Sequence, residues 1–424
     1  MELLDDFEWR GLSQQATEGL REHLASGPVT TYIGFDPTAK SLHVGSLLPI
    51  LALARFQRAG HSPIAIAGGG TGLIGDPSGK SQERKLLSKE QLEENLLGIR
   101  AQLVRFLDFD APKNPARIVN NADWLTTIPL TDFLRDVGKY FTVNYMLAKE
   151  SVERRLESED GISFTEFSYL LLQSYDFLVL HDRYGCTLQM GGSDQWGNIT
   201  AGCELIRKLR ATRAHGLVFP LVKTASGTKF GKTEAGTVWL DPALTSPFRF
   251  YQFWLSTADG DVDGYLKTFT FLERETIAAL AEATRTAPEK REAQATLARE
   301  MTRLVHGDEG LSAAERGSRL LFGGGFEGLS ADDVLGVFQD VPATEIEAER
   351  FRGDGMSLVD LLATVALAPS KGEARRLIKA GGVYVNGQRQ SDENARLGLA
   401  QSLDGRAFVL RKGQKEHHVV KLRA

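Results

Sequence analysis

Two short segments, His43-Val44-Gly45-Ser46 and Lys229-Phe230-Gly231-Lys232-Thr233, carry residue types that hold phosphate, and about 185 residues separate them. The first follows the apolar run Val29 to Phe35 and opens a helical pattern at Leu47. That order predicts a strand, a turn and a helix start, with the N–H groups of Gly45 and Ser46 at the positive end of the helix beside His43. Asp36-Pro37-Thr38 closes the strand with a rigid turn, and Gly45 lets a flat ring or a phosphate approach the backbone. The second segment sets two lysines three apart across a glycine. Two separate cationic elements on one triphosphate suit attack at its α-phosphate, because negative charge builds on the departing pyrophosphate. Taken alone, the first segment could be an ordinary capped helix with a surface histidine.

Other clusters suit a small polar ligand. Tyr169, Gln173 and Asp176 stand at i, i+4 and i+7, so on a helix they share one face. Among Phe167, Leu171, Leu172 and Phe177 they would be costly to bury unpaired. A ligand with a cationic amine and a distant hydroxyl would pair them; a solvent-facing polar stripe is the plainer alternative. Gly69 through Gly75 forms a glycine-rich turn that brings backbone and Asp76 close to a ligand. Its continuation Gly79-Lys80-Ser81 invites a P-loop reading, which fails: the glycine required five positions before Gly79 is Ile74, and Pro77 removes an N–H from the nest. Gly191-Gly192-Ser193-Asp194 reads as a turn between strand and helix, where Asp194 could accept from ribose hydroxyls or cap the helix.

The elements that must position these groups alternate along residues 28–240. Strand-like runs fall at Val29–Phe35, Pro63–Ala67, Arg117–Asn120, Thr187–Met190 and Leu217–Val222. Helical patterns fall between them at Leu47–Ala59, Lys89–Leu107, Thr131–Tyr140 and Glu166–Leu180. This predicts a doubly wound, mainly parallel sheet of the Rossmann type over residues 1–245, with ligands beyond the carboxyl ends of the strands. Residues 246–325 read as an all-α domain ending near Gly323-Gly324-Gly325. Residues 326–355 read as a linker, and 356–424 as a small α+β unit. The 424 residues, 42% hydrophobic, suffice for two or three domains. Cys186 and Cys203 are too few for a disulfide framework. The acidic start Met1-Glu2-Leu3-Leu4-Asp5-Asp6 lacks a signal-type apolar core, and no apolar run approaches the ~18 residues of a membrane helix; the expectation is a cytoplasmic protein with no membrane partner. The net charge of −5 hides an asymmetry: residues 356–424 carry +6 and residues 1–355 carry −11. A basic end module on an acidic body suits an enzyme that holds RNA, though a solvated basic tail has the same composition.

Taken in order, Gly34-Phe35-Asp36-Pro37-Thr38, Gly72 through Ser78, Ser163 through Tyr169, Gly191 through Thr200 and Lys229 through Thr233 make the chain resemble the bacterial tyrosyl-tRNA synthetases, a family of class I aminoacyl-tRNA synthetases. The resemblance runs from Tyr32 to the basic tail. It implies an adenylate signature at His43, Gly45 and Ser46, and a lysine loop at Lys229, Phe230, Lys232 and Thr233. It implies ATP contacts at Asp36, Thr38, Gly192 and Asp194. The family's pattern puts the substrate amine on Asp76, Tyr169 and Gln173, the carboxylate by Gln195, and the phenolic hydroxyl between Tyr32 and Asp176. Where this chain has Ser46 the family signature commonly ends in His or Asn; a serine hydroxyl is shorter and never cationic. The tail looks like an S-four-type RNA-binding domain, with Lys371, Arg375, Arg376 and Lys379 on a basic helix face and Asn386-Gly387 at a hairpin turn. The implied activity is tyrosine–tRNA ligation through tyrosyl-adenylate, with L-tyrosine, ATP carrying Mg²⁺, and tRNA(Tyr) as partners, no tightly held protein metal, and a homodimer formed through residues 125–165. A tryptophanyl-tRNA synthetase, a cytidylyltransferase-type enzyme and a non-catalytic RNA-binding protein are the competing readings. The hydroxyl pair Tyr32/Asp176 and the amine-binding set disfavour the first two.

Overall fold

A computed structural model describes residues 2–78, 87–157, 161–225, 227, 230–233, 236–321, 331–338, 341–413 and 416–423, with the backbone alone at residues 232, 233, 321 and 333. The chain divides into two compact units, Met1–Asp241 with Thr257–Ala293, and Pro242–Ser256 with Gln294–Ala424.

The first unit is built on a six-stranded sheet: β1 (Gln15–Ala16), β2 (Thr30–Phe35), β3 (Ser62–Ala67), β4 (Arg117–Asn120), β5 (Cys186–Gly192) and β6 (His215–Phe219). Their order is β1-β6-β5-β2-β3-β4. Every pair is parallel except β1 with β6, where the short first strand caps an edge. The chain winds outward from β2 through β3 to β4, then returns to the other side of β2 for β5 and β6. The order therefore reverses between β2 and β5, the place where such sheets open a ligand crevice. The five strands expected from the sequence all form; Pro220 follows the end of β6, where it cannot donate to a ladder.

Four helices matter to the site: α1 (Leu47–Arg58), α2 (Lys89–Leu103), α3 (Phe164–Tyr184) and α4 (Trp196–Arg210). The run Leu-Leu-Pro-Ile-Leu-Ala-Leu-Ala makes α1 apolar nearly all round, and it is buried accordingly. Ser163 starts α3 by accepting from the Glu166 N–H, and Gly185 ends it at φ 61°, a left-handed cap that glycine adopts without strain. Its first turn is fixed by a buried ion pair, Arg155 Nη2 to Glu166 Oε2 at 2.9 Å. The helix expected over 131–140 is shorter, Leu130–Asp136, and continues as a tight 3₁₀ turn.

Two expected boundaries change. Residues 246–325 are not one all-α domain: α5 (Asp259–Phe269) and Arg274–Thr286 belong to the first unit, whereas Pro247–Leu255 and the helical segment Glu292–Leu321, broken at Gly307, belong to the second. The glycines expected to end that segment, 323–325, lie outside the described residues. Nor is 326–355 a plain linker. It contains a helix at Ala331–Val337 and strand β7 (Ala343–Glu347), which pairs in parallel with the last strand. Its polar composition concealed this because an edge strand exposes alternate residues; of Ala-Thr-Glu-Ile-Glu only Ile346 is buried.

In the second unit β7 joins β8 (Val383–Val385), β9 (Gln388–Gln390), β10 (Ala407–Lys412) and β11 (Glu416–Arg423) in the order β9-β8-β10-β11-β7. The hairpin β8–β9 turns at Asn386 and Gly387, both at positive φ as the Asn-Gly sequence requires. Leu358, Leu361, Ala374, Ile378, Val383, Phe408 and Val420 form its core.

Candidate active site

A cleft of about 310 Å³ opens at the reversal point between β2 and β5. It gathers Tyr32, Asp36 and Thr38 from β2 and its turn, Gly45 and Ser46 from the helix start, and Asp76 from the glycine-rich turn. Opposite stand Tyr169, Gln173 and Asp176 from one face of α3, with Gly192, Asp194 and Gln195 after β5. Residues distant in sequence thus meet because parallel strands end side by side.

The cleft holds Asp176, 3% exposed and next to the buried Phe177 on α3. Its two oxygens accept from Trp124 Nε1 at 2.7 Å and Asn121 Nδ2 at 2.9 Å. Burial raises its pKa to about 7, against the lowering effect of those two hydrogen bonds. Beside it the Tyr32 hydroxyl is fully enclosed and has no hydrogen-bond partner among the described residues. Burial, then the charge of Asp176, pushes that hydroxyl well above its ordinary pKa, so it stays protonated. A buried hydroxyl left unpaired costs about 1–3 kcal/mol. A ligand hydroxyl between the two would remove that cost.

Asn121 and Trp124 join the site without any mark in the sequence motifs, and Thr71 enters it from the glycine-rich turn. Asn121 is a hub: its amide donates to Asp176 and to Thr71 Oγ1 at 3.0 Å, while its carbonyl accepts from the Gly70 N–H at 2.7 Å. Thr71 passes the chain on to Asp36 Oδ1 at 3.0 Å. The usable signal was Asn120-Asn121 at the end of a predicted strand, where polar side chains face ligands.

Asp76, Tyr169 and Gln173, the expected amine-binding set, all line the cleft. Tyr169 donates to Asp36 Oδ2 at 3.3 Å. Asp76 instead accepts from Gln195 Nε2 at 2.7 Å and from the Ser78 N–H at 2.9 Å. Asn198 Nδ2 ties Gln173 Oε1 (3.0 Å) to Gln195 Oε1 (3.3 Å). The cleft wall therefore holds two carboxylates, Asp36 and Asp76, a short span from a third at its base. That is a favourable field for an ammonium group.

The phosphate-type segments do meet. The Val44 N–H donates to Val238 O at 3.0 Å, and the Leu240 N–H to Leu42 O at 2.9 Å. His43 and Trp239 form an isolated bridge between these stretches. Gly231, at φ +83°, lies so close to Val44 that a Cβ would stand 2.8 Å from its Cγ2. Glycine is needed here for both conformation and space. The ring that closes on Gly45 is that of His43 itself, whose Nδ1 accepts the Gly45 N–H at 3.0 Å, leaving a neutral ring's proton on Nε2. His43 thus borders the helix start without lining the cleft. Lys229 lies outside the described residues, and Lys232 and Thr233 are described by backbone alone, in a short strand paired with Gly236–Thr237. Phe230, expected at the nucleotide, instead buries its ring against Tyr265 and Phe269 of α5, because an aromatic ring gains more from an apolar socket than from a polar cleft.

In the second unit the four basic residues lie on or at the ends of helix α6 (Lys371–Lys379) and are exposed. Three of them have acidic neighbours: Lys371 with Asp360 (2.7 Å), Arg376 with Glu373 (3.2 Å) and Lys379 with Glu393 (3.0 Å). Exposed pairs of this kind contribute about 0–1 kcal/mol, so they leave the cations available for phosphate. On the sheet, Arg411 lies over the Tyr384 ring at 3.8 Å.

Residues 24–323 match the family model described as tRNA synthetases class I (W and Y), and residues 333–420 match the tyrosine–tRNA ligase SYY-like C-terminal domain. The chain belongs to the class I tRNA synthetases of the W and Y type. Among relatives of this synthetase, the tyrosine–tRNA ligase of Roseiflexus castenholzii is 58% identical over 420 residues, covering 99% of each chain. That of Geobacillus kaustophilus is 55% identical over 99% of this chain and 100% of its own. A C-terminally truncated mitochondrial tyrosyl-tRNA synthetase of Aspergillus nidulans superposes with a TM-score of 0.68 at 31% identity, over 76% of this synthetase and 94% of that chain. A tryptophanyl-tRNA synthetase of Encephalitozoon cuniculi shares the fold at 14% identity with a TM-score of 0.53.

Proposed function

We propose that this synthetase ligates L-tyrosine to tRNA in two steps: the tyrosine carboxylate attacks the ATP α-phosphate in line, giving tyrosyl-adenylate and pyrophosphate, and the tyrosyl group then passes to the 3′-terminal ribose of tRNA(Tyr). The relatives' full-length identity supports the ligase reading, and one observation carries the choice of amino acid: the unpaired, buried Tyr32 hydroxyl beside Asp176. A phenol, both donor and acceptor, completes that pair, whereas phenylalanine offers it no polar atom and an indole only a donor. The amine is held by the Asp76, Tyr169 and Gln173 group, with Asp36 reinforcing Tyr169, and Gln195 faces the carboxylate. Asp194 and Gly192 hold the ribose. Thr38, Gly45 and Ser46 at the positive end of the helix start, His43, Lys229 and Lys232 stabilise the phosphates. Positioning and charge carry the first step, so no side-chain nucleophile is required.

Mg²⁺ enters with ATP, bound through phosphate oxygens. A homodimer through residues 125–165 accords with large apolar side chains exposed there: Leu130 71%, Val143 61% and Phe164 78%. A cytoplasmic location accords with the lack, among the described residues, of any helix long and apolar enough to cross a membrane.

The deciding experiment is tyrosine-, tryptophan- and phenylalanine-dependent exchange of labelled pyrophosphate into ATP. Exchange with tyrosine alone is expected; exchange led by tryptophan would overturn the reading. For the RNA surface, Arg375→Ala with Arg376→Ala should depress tRNA charging while leaving pyrophosphate exchange unchanged. Removing two phosphate-facing cations should make the slope of log affinity against log salt shallower by about 1–2. An unchanged slope would remove α6 from the RNA interface.

A further inference from the structure

The Phe230 ring is 6% exposed, although it sits between the two lysines of a segment otherwise read as phosphate-binding. It stacks on Phe269 with centroids 5.0 Å apart at 20°, and meets Tyr265 edge-on at 5.0 Å. Tyr265 and Phe269 are one turn apart on α5 and themselves pack edge to face. A residue earlier in the chain is tied to α5 as well: the Ala225 N–H donates to Asp261 Oδ1 at 2.7 Å, in the first turn of the helix.

The far end of α5 is also held. Arg10 donates to the carbonyls of Lys267, Thr270 and Leu272, and Arg55 to those of Thr268 and Thr270. Two guanidinium groups on the carbonyl end of a helix are favourably placed. Arg55 comes from α1, the helix that opens just after His43-Val44-Gly45-Ser46. One chain of contacts therefore runs from the helix start of the adenylate signature, along α1, through Arg55 to α5, and from α5 through its aromatic socket to Phe230. One residue further on, Gly231 closes against Val44.

We propose that Phe230 is a positioning residue for adenylate formation: its seat on Tyr265 and Phe269 sets the register in which the lysine segment meets the Val44–Ser46 helix start. The proposal rests on the reading of Lys229 and Lys232 as groups that stabilise the departing pyrophosphate. A ring seated in this socket holds the backbone of Phe230 and of Gly231 beside it. A small shift there misplaces cations whose value depends on distance from the developing charge. None of Phe230, Tyr265 and Phe269 lines the cleft assigned to tyrosine, so the effect falls on the ATP-dependent step.

The test compares Phe230→Ala, Phe230→Met and Phe269→Leu with the parent chain, measuring single-turnover adenylate formation, ATP KM, tyrosine binding at equilibrium and thermal midpoint. Phe230→Ala should slow adenylate formation by about 10- to 100-fold, the scale of loss that a small misplacement brings. Tyrosine affinity should stay close to the parent's, while the thermal midpoint falls with the lost burial of the ring. Phe230→Met, with an apolar, adaptable chain that packs well on aromatic rings, should restore most of the rate. Phe269→Leu should reproduce a milder form of the Ala defect from the other side of the socket. A full rate in Phe230→Ala, or a loss shared equally by tyrosine affinity, would overturn the proposal. Lys232→Ala run alongside separates the two ideas. If it is slow while Phe230→Ala is normal, only the socket fails; if it is normal, the reading of the lysines fails.

Discussion

Lys232→Ala is expected to slow tyrosyl-adenylate formation by about 10²- to 10³-fold, the scale of removing one preorganised donor from a developing oxyanion. Tyrosine affinity should stay within about twofold, because uniform binding and transition-state binding are separable quantities. The backbone explains why the effect should be confined. Lys232 lies in a short antiparallel pair with Thr237, and Gly231 just before it is pinned against Val44. Replacing the side chain leaves both of these intact, so the loss is one of charge and not of loop placement. Single-turnover formation of adenylate with equilibrium tyrosine binding measures both quantities. An unaltered rate would take the lysine segment out of the mechanism.

The second large effect is at Asp176. Its oxygens accept from Trp124 and Asn121, which fixes the carboxylate where a ligand hydroxyl can reach it. Asp176→Asn keeps the volume but offers one acceptor to two donors, so one of Trp124 Nε1 and Asn121 Nδ2 loses its partner. Sites built to bind a hydroxyl reject the analogue lacking it by about 10⁴- to 10⁵-fold, tyrosine against phenylalanine being the standard illustration. Most of that discrimination should vanish in the variant: kcat/KM for tyrosine should fall by about 10²-fold or more, with phenylalanine changed little. Equal losses for both amino acids would mean that Asp176 shapes the pocket without reading the hydroxyl.

The same residue makes stability depend on pH in a defined direction. A free aspartate titrates near 4, whereas burial holds Asp176 at about 7. Between those values the folded chain keeps a proton that the unfolded chain has lost, so unfolding becomes easier as pH rises through this interval and levels off above it. Urea midpoints of the ligand-free chain, referred to the Asp176→Asn variant, should accordingly be higher at pH 5 than at pH 8. A difference of the opposite sign would mean that the carboxylate is ionised and stabilised in the fold.

Much of this was legible in the linear chain for a physical reason. Period-two and period-3.6 apolar patterns report burial directly, so all five strands expected in the first unit form at nearly their expected bounds. Spacing on one helix does the same for function: Tyr169, Gln173 and Asp176 share a face because 3.6 residues make a turn, whatever surrounds them. Asn386-Gly387 makes its hairpin because both residues tolerate positive φ. The order of motifs also identified the family, which the matches over residues 24–323 and 333–420 bear out.

What the linear chain left undetermined were partnerships between segments distant in sequence, since those depend on how strand ends and helix faces come together. That Asp176 is held by Asn121 and Trp124, that Tyr169 turns to Asp36 while Asp76 takes Gln195, and that β7 completes a sheet with the last strand, all rest on such encounters. The burial of Phe230 is the sharpest case. Its neighbours Lys229, Gly231 and Lys232 mark the segment for phosphate, but a side chain follows the environment that removes most of its apolar surface from water. Only folding brought Tyr265 and Phe269 within its reach.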